Sequence, residues 1–394
     1  MENKIFVGFA RQAVEADQPI ALSGYGNEES RLHTAVAQPL CATCVAISDN
    51  EDSAVLLVSL DLYTLPEMIN PAAVAQKVGI DPDRIFLSAT NTHSAPGKDA
   101  ACDGYFEKFL DATIAVCKDA LADRKAAAME TASIETEKLN YVKHYKCQDK
   151  ADGHIFYAGS EYIKPALADY IEHATKADPT MHMVKFTREG GKAVVLANFR
   201  AKPTFDGGEN KTVLSADYPG YFRTGLESIC DCHVAFFQGG AGNIDAQNRM
   251  HGGNRYGSAQ GHGLALAGYA ADCLARFLQP ADAGKVQTNK ATFQGQTKDG
   301  ASVDMTLSVI TVGDRFGIAT FPGDMYDSVS VRMEENSRYF STMLLGYCNG
   351  YVGYLPSRVA YKYPSIETDL SPFAPGVGEK AADALDNLFW ELKK

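Results

Sequence analysis

The chain has 394 residues, of which 45% are hydrophobic and 22% are charged. These proportions are those of an ordinary globular protein, and they exclude a disordered chain, a collagen and a coiled coil. The 49 acidic residues outnumber the 37 basic ones, and the resulting net charge of −12 repels the phosphates of nucleic acids and of anionic membranes. We therefore expect no nucleic-acid partner.

The N-terminal residues carry no export signal. Residues 1–4 lead directly into an alternating, strand-like stretch at residues 5–10, without the basic and apolar regions of a signal peptide. No apolar run in the chain approaches the roughly 18 residues that a membrane-spanning helix needs. We therefore predict a cytoplasmic protein without a membrane partner; the composition does not indicate an oligomeric state.

Strand-like and helical segments alternate along the whole chain. After residues 5–10 and 39–48, apolar stretches rich in β-branched residues predict strands at 54–60, 84–89, 193–199, 232–237, 302–311, 316–321 and 342–347. Periodicity predicts helices near 105–123, 219–229, 257–278, 325–336 and 379–392. The polar segment 141–160 is interpreted as a loop or excursion. Without repeats or linkers, this pattern predicts one α/β domain over residues 1–394, with mixed sheets covered by helices.

The nine cysteines are spread along a long chain, which is not the pattern of a disulfide framework. Cys41 and Cys44 could be half of a zinc site or a redox pair, but they lie inside a strand-like run with no second CxxC. Cys230 and Cys232 stand next to an apolar strand. We interpret these residues as reduced, mostly buried thiols that pack in the core.

Five predicted strands each end in a turn that contains Gly or Pro and polar side chains. The turns are residues 90–97, 200–204, 238–245, 322–324 and 348–354. In α/β sheets, ligands bind in the crevice at the carboxyl ends of strands. The pattern therefore predicts a pocket for a small-molecule ligand at these ends.

Two common motifs are rejected inside these turns. Residues 243–247 resemble the start of a calcium loop, but the Gly at the sixth position and the Glu at the twelfth are missing. Residues 239–242 are rich in Gly, but no Gly-Lys-Ser/Thr follows them and they lead to a turn rather than a clear helix. Neither a calcium loop nor a phosphate-binding loop is predicted.

The turns nevertheless resemble, in order, those of the neutral/alkaline ceramidase catalytic domain. The similarity also covers the N-terminal Val7-Gly-Phe-Ala-Arg11 and Gly24-Tyr-Gly26, so it spans essentially the whole chain. The resemblance implies the ceramidase catalytic-domain fold without its C-terminal immunoglobulin-like domain. The motifs that carry it are Leu87-Ser-Ala-Thr-Asn-Thr-His-Ser-Ala-Pro-Gly97, Ser215-Ala-Asp-Tyr-Pro-Gly-Tyr221, Phe237-Gln-Gly-Gly-Ala-Gly-Asn-Ile-Asp245, Phe321-Pro-Gly-Asp324 and Asn349-Gly-Tyr-Val-Gly-Tyr354.

The resemblance implies a zinc amidase in which two histidines, a glutamate and a tyrosine hold the metal and a serine takes part in the attack. In this chain, the two histidine positions are occupied by Asn91 and Lys202. Asp324 stands at the glutamate position, Tyr354 matches the tyrosine, and Asp245 replaces the serine. An amide oxygen is a weak zinc ligand and an ammonium repels the ion, so two plausible ligands remain where about three are needed. We therefore expect no zinc and no other cofactor.

These positions give the candidate site, which we divide by chemical role. The predicted catalytic residues are Lys202, Asp245 and His93. The predicted substrate-binding residues are Asn91, Asn243, Asp324 and Tyr354. No residue is predicted to bind a metal.

Three functions remain open for this site. The first is a hydrolase with a remodelled, metal-poor site that acts on a small polar substrate. The second is a binding protein that keeps the pocket without the chemistry. The third is a hydrolase that uses a hard cation held by Asn91, Asp245 and Asp324, which the charge of Lys202 disfavours. Because the expected neighbours of Lys202 are carboxylates, we predict a protonated ammonium rather than a Schiff-base nucleophile.

Overall fold

Two β-sheets packed face to face form the centre of the protein, and helices cover both outer faces. The computed structural model describes residues 4–50, 53–102, 104–248, 256–282 and 284–393. The resulting order of layers is helix, sheet, sheet, helix. The predicted class, an α/β fold with mixed sheets covered by helices, is confirmed.

The larger sheet has nine strands in the order β14-β12-β11-β6-β1-β3-β4-β5, with β16 paired to β6. The pairs β12/β14 and β4/β5 are parallel and the remaining pairs are antiparallel. The strands are β1 (Ile5–Val14), β3 (Leu40–Ser48), β4 (Val55–Leu60), β5 (Ile85–Ala89), β6 (Lys125–Glu135), β11 (Thr180–Arg188), β12 (Ala193–Phe199), β14 (Cys232–Gln238) and β16 (Gln279–Ala281).

The second sheet has four strands in the order β17-β18-β19-β21, of which β19 and β21 are parallel. These strands are β17 (Val286–Gln296), β18 (Ser302–Val312), β19 (Phe316–Thr320) and β21 (Ser341–Leu345). A small three-stranded sheet contains, in order, β10 (Ala168–His173), β8 (His144–Asp149) and β9 (Ile155–Gly159). Three two-stranded sheets are formed by β2 (Ala35–Val36) with β13 (Val213–Leu214), by β7 (Tyr141–Val142) with β15 (Ile244–Asp245), and by β20 (Asp324–Met325) with β22 (Tyr354–Leu355).

Seven α-helices are found in the described residues. They are α1 (Pro71–Val78), α2 (Tyr105–Ala122), α3 (Asp217–Ile229), α4 (Ala259–Arg276), α5 (Asp327–Asn336), α6 (Ile366–Leu370) and α7 (Val377–Leu392). Helices α2, α3 and α4 cover the larger sheet, while α5 and α7 cover the smaller one. None of the described helices is long and apolar enough to cross a membrane.

The continuous apolar runs of the central strands follow from their burial on both faces. On β4, Leu56 and Val58 face the core under α2, while Val55 and Leu57 face the second sheet. Because successive side chains of a strand point to opposite faces, a strand between two packed layers needs apolar residues at every position. This is why such strands were predictable from the sequence alone.

The interpretation of residues 141–160 as a loop is wrong. The segment contains β7, β8 and β9, and β8 pairs with both β9 and β10. Tyr145, Cys147 and Ala158 are buried on one face of this small sheet, while the exposed positions carry Ile155 and Tyr157 as well as polar side chains. Because polar residues alternate with the buried ones over only a few positions, the segment has no continuous apolar run that would mark it as a strand.

The cysteines behave as core residues. In the structure, eight of the nine cysteines are buried and Cys230 is partly buried. Cys41 and Cys44 lie within β3, and Cys232 begins β14. Burial raises the pKa of the Cys44 and Cys232 thiols, which keeps them protonated and unreactive at neutral pH.

One buried histidine makes the stability of this fold depend on pH. His262 on α4 packs against the rings of Phe205 and Tyr218, and neither of its ring nitrogens has a hydrogen-bond partner among the described residues. Burial lowers the pKa of His262 to about 3, so the native ring stays neutral in mildly acidic solution.

We predict that His262→Phe reduces the loss of stability on acidification. Between pH 6.5 and about 3, the unfolded chain binds a proton at His262 and the native protein does not. The native protein therefore loses up to about 1.4 kcal/mol of unfolding free energy per pH unit as the pH falls through this window. Urea denaturation of both proteins at pH 7.5 and 5.5 measures the difference.

The control is His154→Phe, because the hydrogen bond with Asp152 raises the pKa of that exposed histidine. This control should not flatten the pH dependence. Equal slopes for wild type and His262→Phe would contradict a neutral, buried His262.

Candidate active site

The candidate site lies where the carboxyl ends of strands from both sheets meet. Backbone hydrogen bonds join the turns: Ala89 donates to Tyr347 at 3.2 Å, Gly239 donates to Phe199 at 2.9 Å, and Gly346 donates to Gln238 at 2.9 Å. The turns after β5, β12, β14, β19 and β21 are thereby brought side by side. Polar side chains that are distant in the sequence become neighbours there.

Lys202 follows β12 and is only 3% exposed. Its Nζ atom donates a hydrogen bond to the Tyr354 hydroxyl at 2.9 Å and lies 3.4 Å from Asp324 Oδ1. The ammonium also lies 4.4 Å from the centre of the Tyr354 ring. Lys202 is therefore in direct contact with both Asp324 and Tyr354.

Asp324 is held from several sides. It is 1% exposed and pairs with Tyr354 in the short parallel sheet of β20 and β22. The Tyr347 hydroxyl donates to its Oδ1 atom, and the Tyr351 hydroxyl donates to Oδ2 at 2.9 Å. Burial and the carboxylate together raise the pKa of both phenols well above 10, so they remain protonated donors.

Tyr354 connects this cluster with a second ammonium. The side chain is half-buried, so it lies at the solvent-facing side of the cluster. Burial and the Asp324 carboxylate raise the pKa of Tyr354 well above its usual value, while the Lys143 ammonium acts in the opposite direction. The phenol is therefore neutral at pH 7 and accepts the hydrogen bond from Lys202.

Asn91 follows β5 in a left-handed conformation, with φ at 61°. Asn tolerates this region better than most residues, and such strained positions are frequent at functional sites. Its Nδ2 atom donates to the Tyr63 carbonyl at 3.0 Å. Its buried Oδ1 atom has no hydrogen-bond partner among the described residues, so an acceptor is left open.

His93 lies between two aromatic rings beside Asn91. Its ring centre is 4.9 Å from that of Tyr63 and 5.6 Å from that of Tyr25, both in edge-to-face geometry. Burial and the nearby charge of Lys202 lower the pKa of His93 well below 6.5, so the ring is neutral at pH 7. Nδ1 lies 2.9 Å from the Asn91 carbonyl. Donation to this carbonyl assigns the proton to Nδ1 and the lone pair to Nε2.

Asp245 meets Lys202 through the backbone rather than through its carboxylate. The two residues form a parallel bridge, next to the bond from the Lys202 amide to the Ile244 carbonyl at 3.1 Å. Asp245 Oδ1 accepts hydrogen bonds from the Thr204 hydroxyl at 2.7 Å and from the Gln247 amide at 3.2 Å. The carboxylate thus holds the Lys202–Thr204 turn in place.

Asn243 also has a positioning role in the structure. Its Oδ1 atom accepts a hydrogen bond from the Asp327 amide at 2.9 Å, at the start of α5. Its carbonyl accepts from the Lys143 amide at 2.9 Å. The residue therefore joins the turn after β14 to α5 and to the segment that carries Lys143.

A second buried charged group adjoins the site and was not predicted. Lys143 Nζ lies 2.9 Å from Glu367 Oε1 and 3.1 Å from Glu161, while Glu367 Oε2 lies 3.1 Å from His144 Nε2. Burial acts to raise the pKa of Glu367, but Lys143 and His144 hold it well below its usual range. Lys143 and Glu367 are therefore ionised at neutral pH, and the charges of both act on the Tyr354 hydroxyl.

The sequence offered a weak signal for these additional residues. Tyr347 and Tyr351 belong to a tyrosine-rich segment in which only Tyr354 was assigned to the site. Lys143 lies in the segment that was interpreted as a loop, where a lysine is ordinarily solvated. Lys143 directly follows β7, which pairs with β15, and its side chain forms ion pairs with Glu161 and Glu367.

We predict that Lys202→Met destabilises the protein by about 3–5 kcal/mol, because it leaves the Asp324 carboxylate buried without a cation. The double variant Lys202→Met with Asp324→Asn should lose less than the sum of the two single changes. Chemical denaturation of the four proteins gives this coupling energy.

The matched control is Lys108→Met, which removes an ion pair with Asp17 on the surface. This change should cost less than about 1 kcal/mol. Additive effects of Lys202→Met and Asp324→Asn would refute the buried ion pair.

Comparison with known proteins finds similarity only at the level of structure. No protein-family model and no curated protein sequence matches the chain. A solved structure described as ceramidase complexed with C2 superposes with a TM-score of 0.79 at 13% identity, over 100% of this chain and 76% of that one. The neutral ceramidase from Pseudomonas aeruginosa gives a TM-score of 0.75 at 14% identity, over 100% of this chain and 75% of that one.

The agreement along the whole chain confirms the resemblance that the turn motifs indicated, although so low an identity is informative about the fold alone. This chain has the fold of the neutral ceramidases.

Proposed function

We propose that the chain is a metal-independent hydrolase of small polar substrates that contain an amide bond. The observation that carries this proposal is the buried ammonium of Lys202, in contact with Asp324 and Tyr354. By the resemblance, these residues stand at three zinc-ligand positions. A fixed positive charge at that point does part of what a metal ion does, since it attracts a carbonyl oxygen or a carboxylate.

The residues at these positions do not fit zinc. Zinc needs about three protein ligands from His, Cys or carboxylate, together with an open position for water. Here Lys202 is a cation, Asn91 offers an amide oxygen, and both oxygens of Asp324 already accept hydrogen bonds. Within the described part of the chain, the group of three His, Cys, Asp or Glu side chains close enough to share a metal ion is Asp149, Asp152 and His154, outside this site. The proposed hydrolysis therefore uses no metal ion.

In this proposal, the Lys202 ammonium binds the carbonyl oxygen of the substrate. An ammonium has three N–H donors; in the structure one donates to the Tyr354 hydroxyl, and the ammonium forms an ion pair with Asp324. A further N–H can donate to the substrate oxygen and stabilise negative charge that develops on it during attack. Asn91 Oδ1, an open acceptor, can receive the substrate N–H.

In this proposal, His93 is the general base that accepts the proton from the attacking water. Its neutral ring, with Nδ1 directed at the Asn91 carbonyl, leaves Nε2 as a proton acceptor. Asp245 cannot act like the family serine, because a carboxylate bound to Thr204 and the Gln247 amide is not a hydroxyl nucleophile. In this proposal, Asp245 and Asn243 position the surrounding turns. Water is the nucleophile: its oxygen bonds to the carbonyl carbon, and His93 passes the proton it has taken to the nitrogen of the amine, which leaves as the C–N bond breaks.

A binding protein without catalysis is the second candidate. The absence of a hydroxyl at position 245 favours it, since the residue that takes part in attack in the family is replaced. The hard-cation hydrolase ranks last, because the Lys202 ammonium already contacts Asp324 and repels a second cation. The two leading candidates differ only in whether a bound ligand is turned over.

We predict slow hydrolysis of short, polar N-acyl p-nitroanilides by the purified protein, with no loss of activity in EDTA. Lys202→Met should lower kcat/KM by about 100-fold or more, because it removes the donor to the developing oxyanion. Lys108→Met is the control and should retain full activity. Absorbance of released p-nitroaniline measures the rate, and calorimetry with the corresponding free carboxylates measures binding.

Each result separates the candidates. Carboxylate binding at Lys202 without any turnover would establish the binding protein and reject the hydrolase. Activity that EDTA abolishes and a divalent ion restores would reject the metal-independent site.

We further predict that Asn91→His and Lys202→His together create a zinc site. The double variant supplies two neutral imidazoles beside Asp324 and Tyr354, which gives the four ligands of a tetrahedral site. It should bind about one equivalent of zinc, while either single variant binds much less. Adding Asp324→Glu should strengthen binding, because the carboxylate is extended by one methylene, about 1.5 Å.

Metal analysis after dialysis measures the zinc content. Near-ultraviolet circular dichroism provides the control that the variants are folded. A folded double variant that binds no more zinc than the wild type would show that Asn91 and Lys202 do not correspond to the histidine ligands.

A further inference from the structure

A second cavity, of about 220 Å³, is formed by residues other than those of the candidate site. Strands β6 and β11 form one side, and the end of α4, the last turns of α5 and the start of β21 form the others. Its ionisable and aromatic lining residues are His182, Glu334, Phe277, Tyr339 and Phe340. We refer to it as the β6–α5 cavity.

The carboxylate in this cavity belongs to a buried group with too few cations. Arg200 is 1% exposed and lies 2.6 Å from Glu334, 3.3 Å from Asp178 and 3.4 Å from Asp327. Three carboxylates thus share one guanidinium, so the group contains more carboxylates than arginine side chains. Burial, opposed by Arg200, raises the pKa of Asp327 to about 6, which leaves it mostly ionised at pH 7.5.

Glu334 keeps its negative charge in this crowded group. Burial acts to raise its pKa, but Arg200 and His182 lower it to about 2. His182 lies above the carboxylate, with its Nε2 atom 3.6 Å from Glu334 Oε2. That buried nitrogen has no hydrogen-bond partner among the described residues. The cavity therefore borders on negative charge and on a polar atom that is still open.

Aromatic rings form the outer part of the same cavity. Phe340 is 65% exposed and Phe277 is 43% exposed, which is unusual for large apolar side chains, and both line the opening. The guanidinium of Arg315 lies 4.5 Å from the centre of the Phe340 ring, so this ring already attracts a cation. Aromatic faces beside a carboxylate are the surroundings in which organic cations bind.

We propose that the β6–α5 cavity binds a small organic cation of about the size of choline. The excess negative charge of the Arg200 group selects a cation, and the aromatic lining selects one with a weakly hydrated, alkylated ammonium. A hard metal ion is disfavoured, because both Glu334 oxygens are within reach of Arg200 and few free oxygens remain. An anion is excluded by the same charges.

The test compares choline with 3,3-dimethylbutan-1-ol, which has the same shape without the charge. We expect choline to bind the full chain at pH 7.5 at least about tenfold more tightly than the alcohol. Phe340→Ala should weaken choline binding about fivefold, because it removes one aromatic wall. Its side chain is mostly exposed, so this variant should fold normally. Phe6→Ala, another partly exposed phenylalanine, is the matched control and should bind as wild type does.

NMR titration or calorimetry provides the affinities, and Glu334→Gln provides a second variant with the charge removed and the shape kept. Loss of choline binding in Glu334→Gln with an unchanged melting temperature would support the proposal. Equal affinity for choline and the alcohol, or no binding of choline at about 10 mM, would overturn it. These readouts are independent of hydrolysis, so they do not depend on the function proposed for Lys202.

Discussion

The contact of the Lys202 ammonium with Asp324 and Tyr354 is the interaction on which the site depends. Each partner comes from a different part of the chain: Lys202 follows a strand of the larger sheet, while Asp324 and Tyr354 follow strands of the smaller one. Burying two charges costs several kcal/mol of desolvation, which only close geometry and further hydrogen bonds offset. Tyr347 and Tyr351 supply those bonds at Asp324. The ion pair therefore joins turns from the two sheets at the place where their edges meet.

The position of the site follows from the layered architecture. Two sheets packed face to face leave a seam at their edges, and parallel neighbours such as β12/β14 and β19/β21 direct several carboxyl ends to the same seam. The turns there are short and joined by backbone hydrogen bonds, which holds their side chains in fixed positions. A large buried polar cluster can exist at this seam because nearly every charged group in it has an oppositely charged or hydrogen-bonding partner.

Much of the fold was predictable because the core strands are buried on both faces. Strands such as β3, β4, β12 and β14 are continuous apolar runs, and every predicted strand and helix is present within a few residues. The strands of the small sheets, β16, α1 and α6 were not predicted. Three longer strands, β6, β11 and β17, were also missed, because they mix polar and apolar residues where one face is only partly covered. Lysine, glutamate and threonine at partly exposed positions interrupt the apolar runs by which the other strands were predicted.

The site was predictable in part, through the order of the turn motifs. That order identified Lys202, Asp324 and Tyr354, which the structure brings into contact. It could not identify Lys143 or Glu367, since their burial depends on the small sheets and on α6 rather than on a local pattern. Nor could it distinguish a carboxylate that holds a turn, such as Asp245, from one that faces a ligand.

The charge at the centre of this site is part of the polypeptide. A metal centre is assembled in two events, folding and loading, and its occupancy varies with the supply of the ion and with competing chelators. The ammonium of Lys202 is covalently attached and becomes buried when β12 and the turn of Asp324 come together. Folding and assembly of this centre are thus one event, and every correctly folded molecule contains the Lys202 side chain beside Asp324.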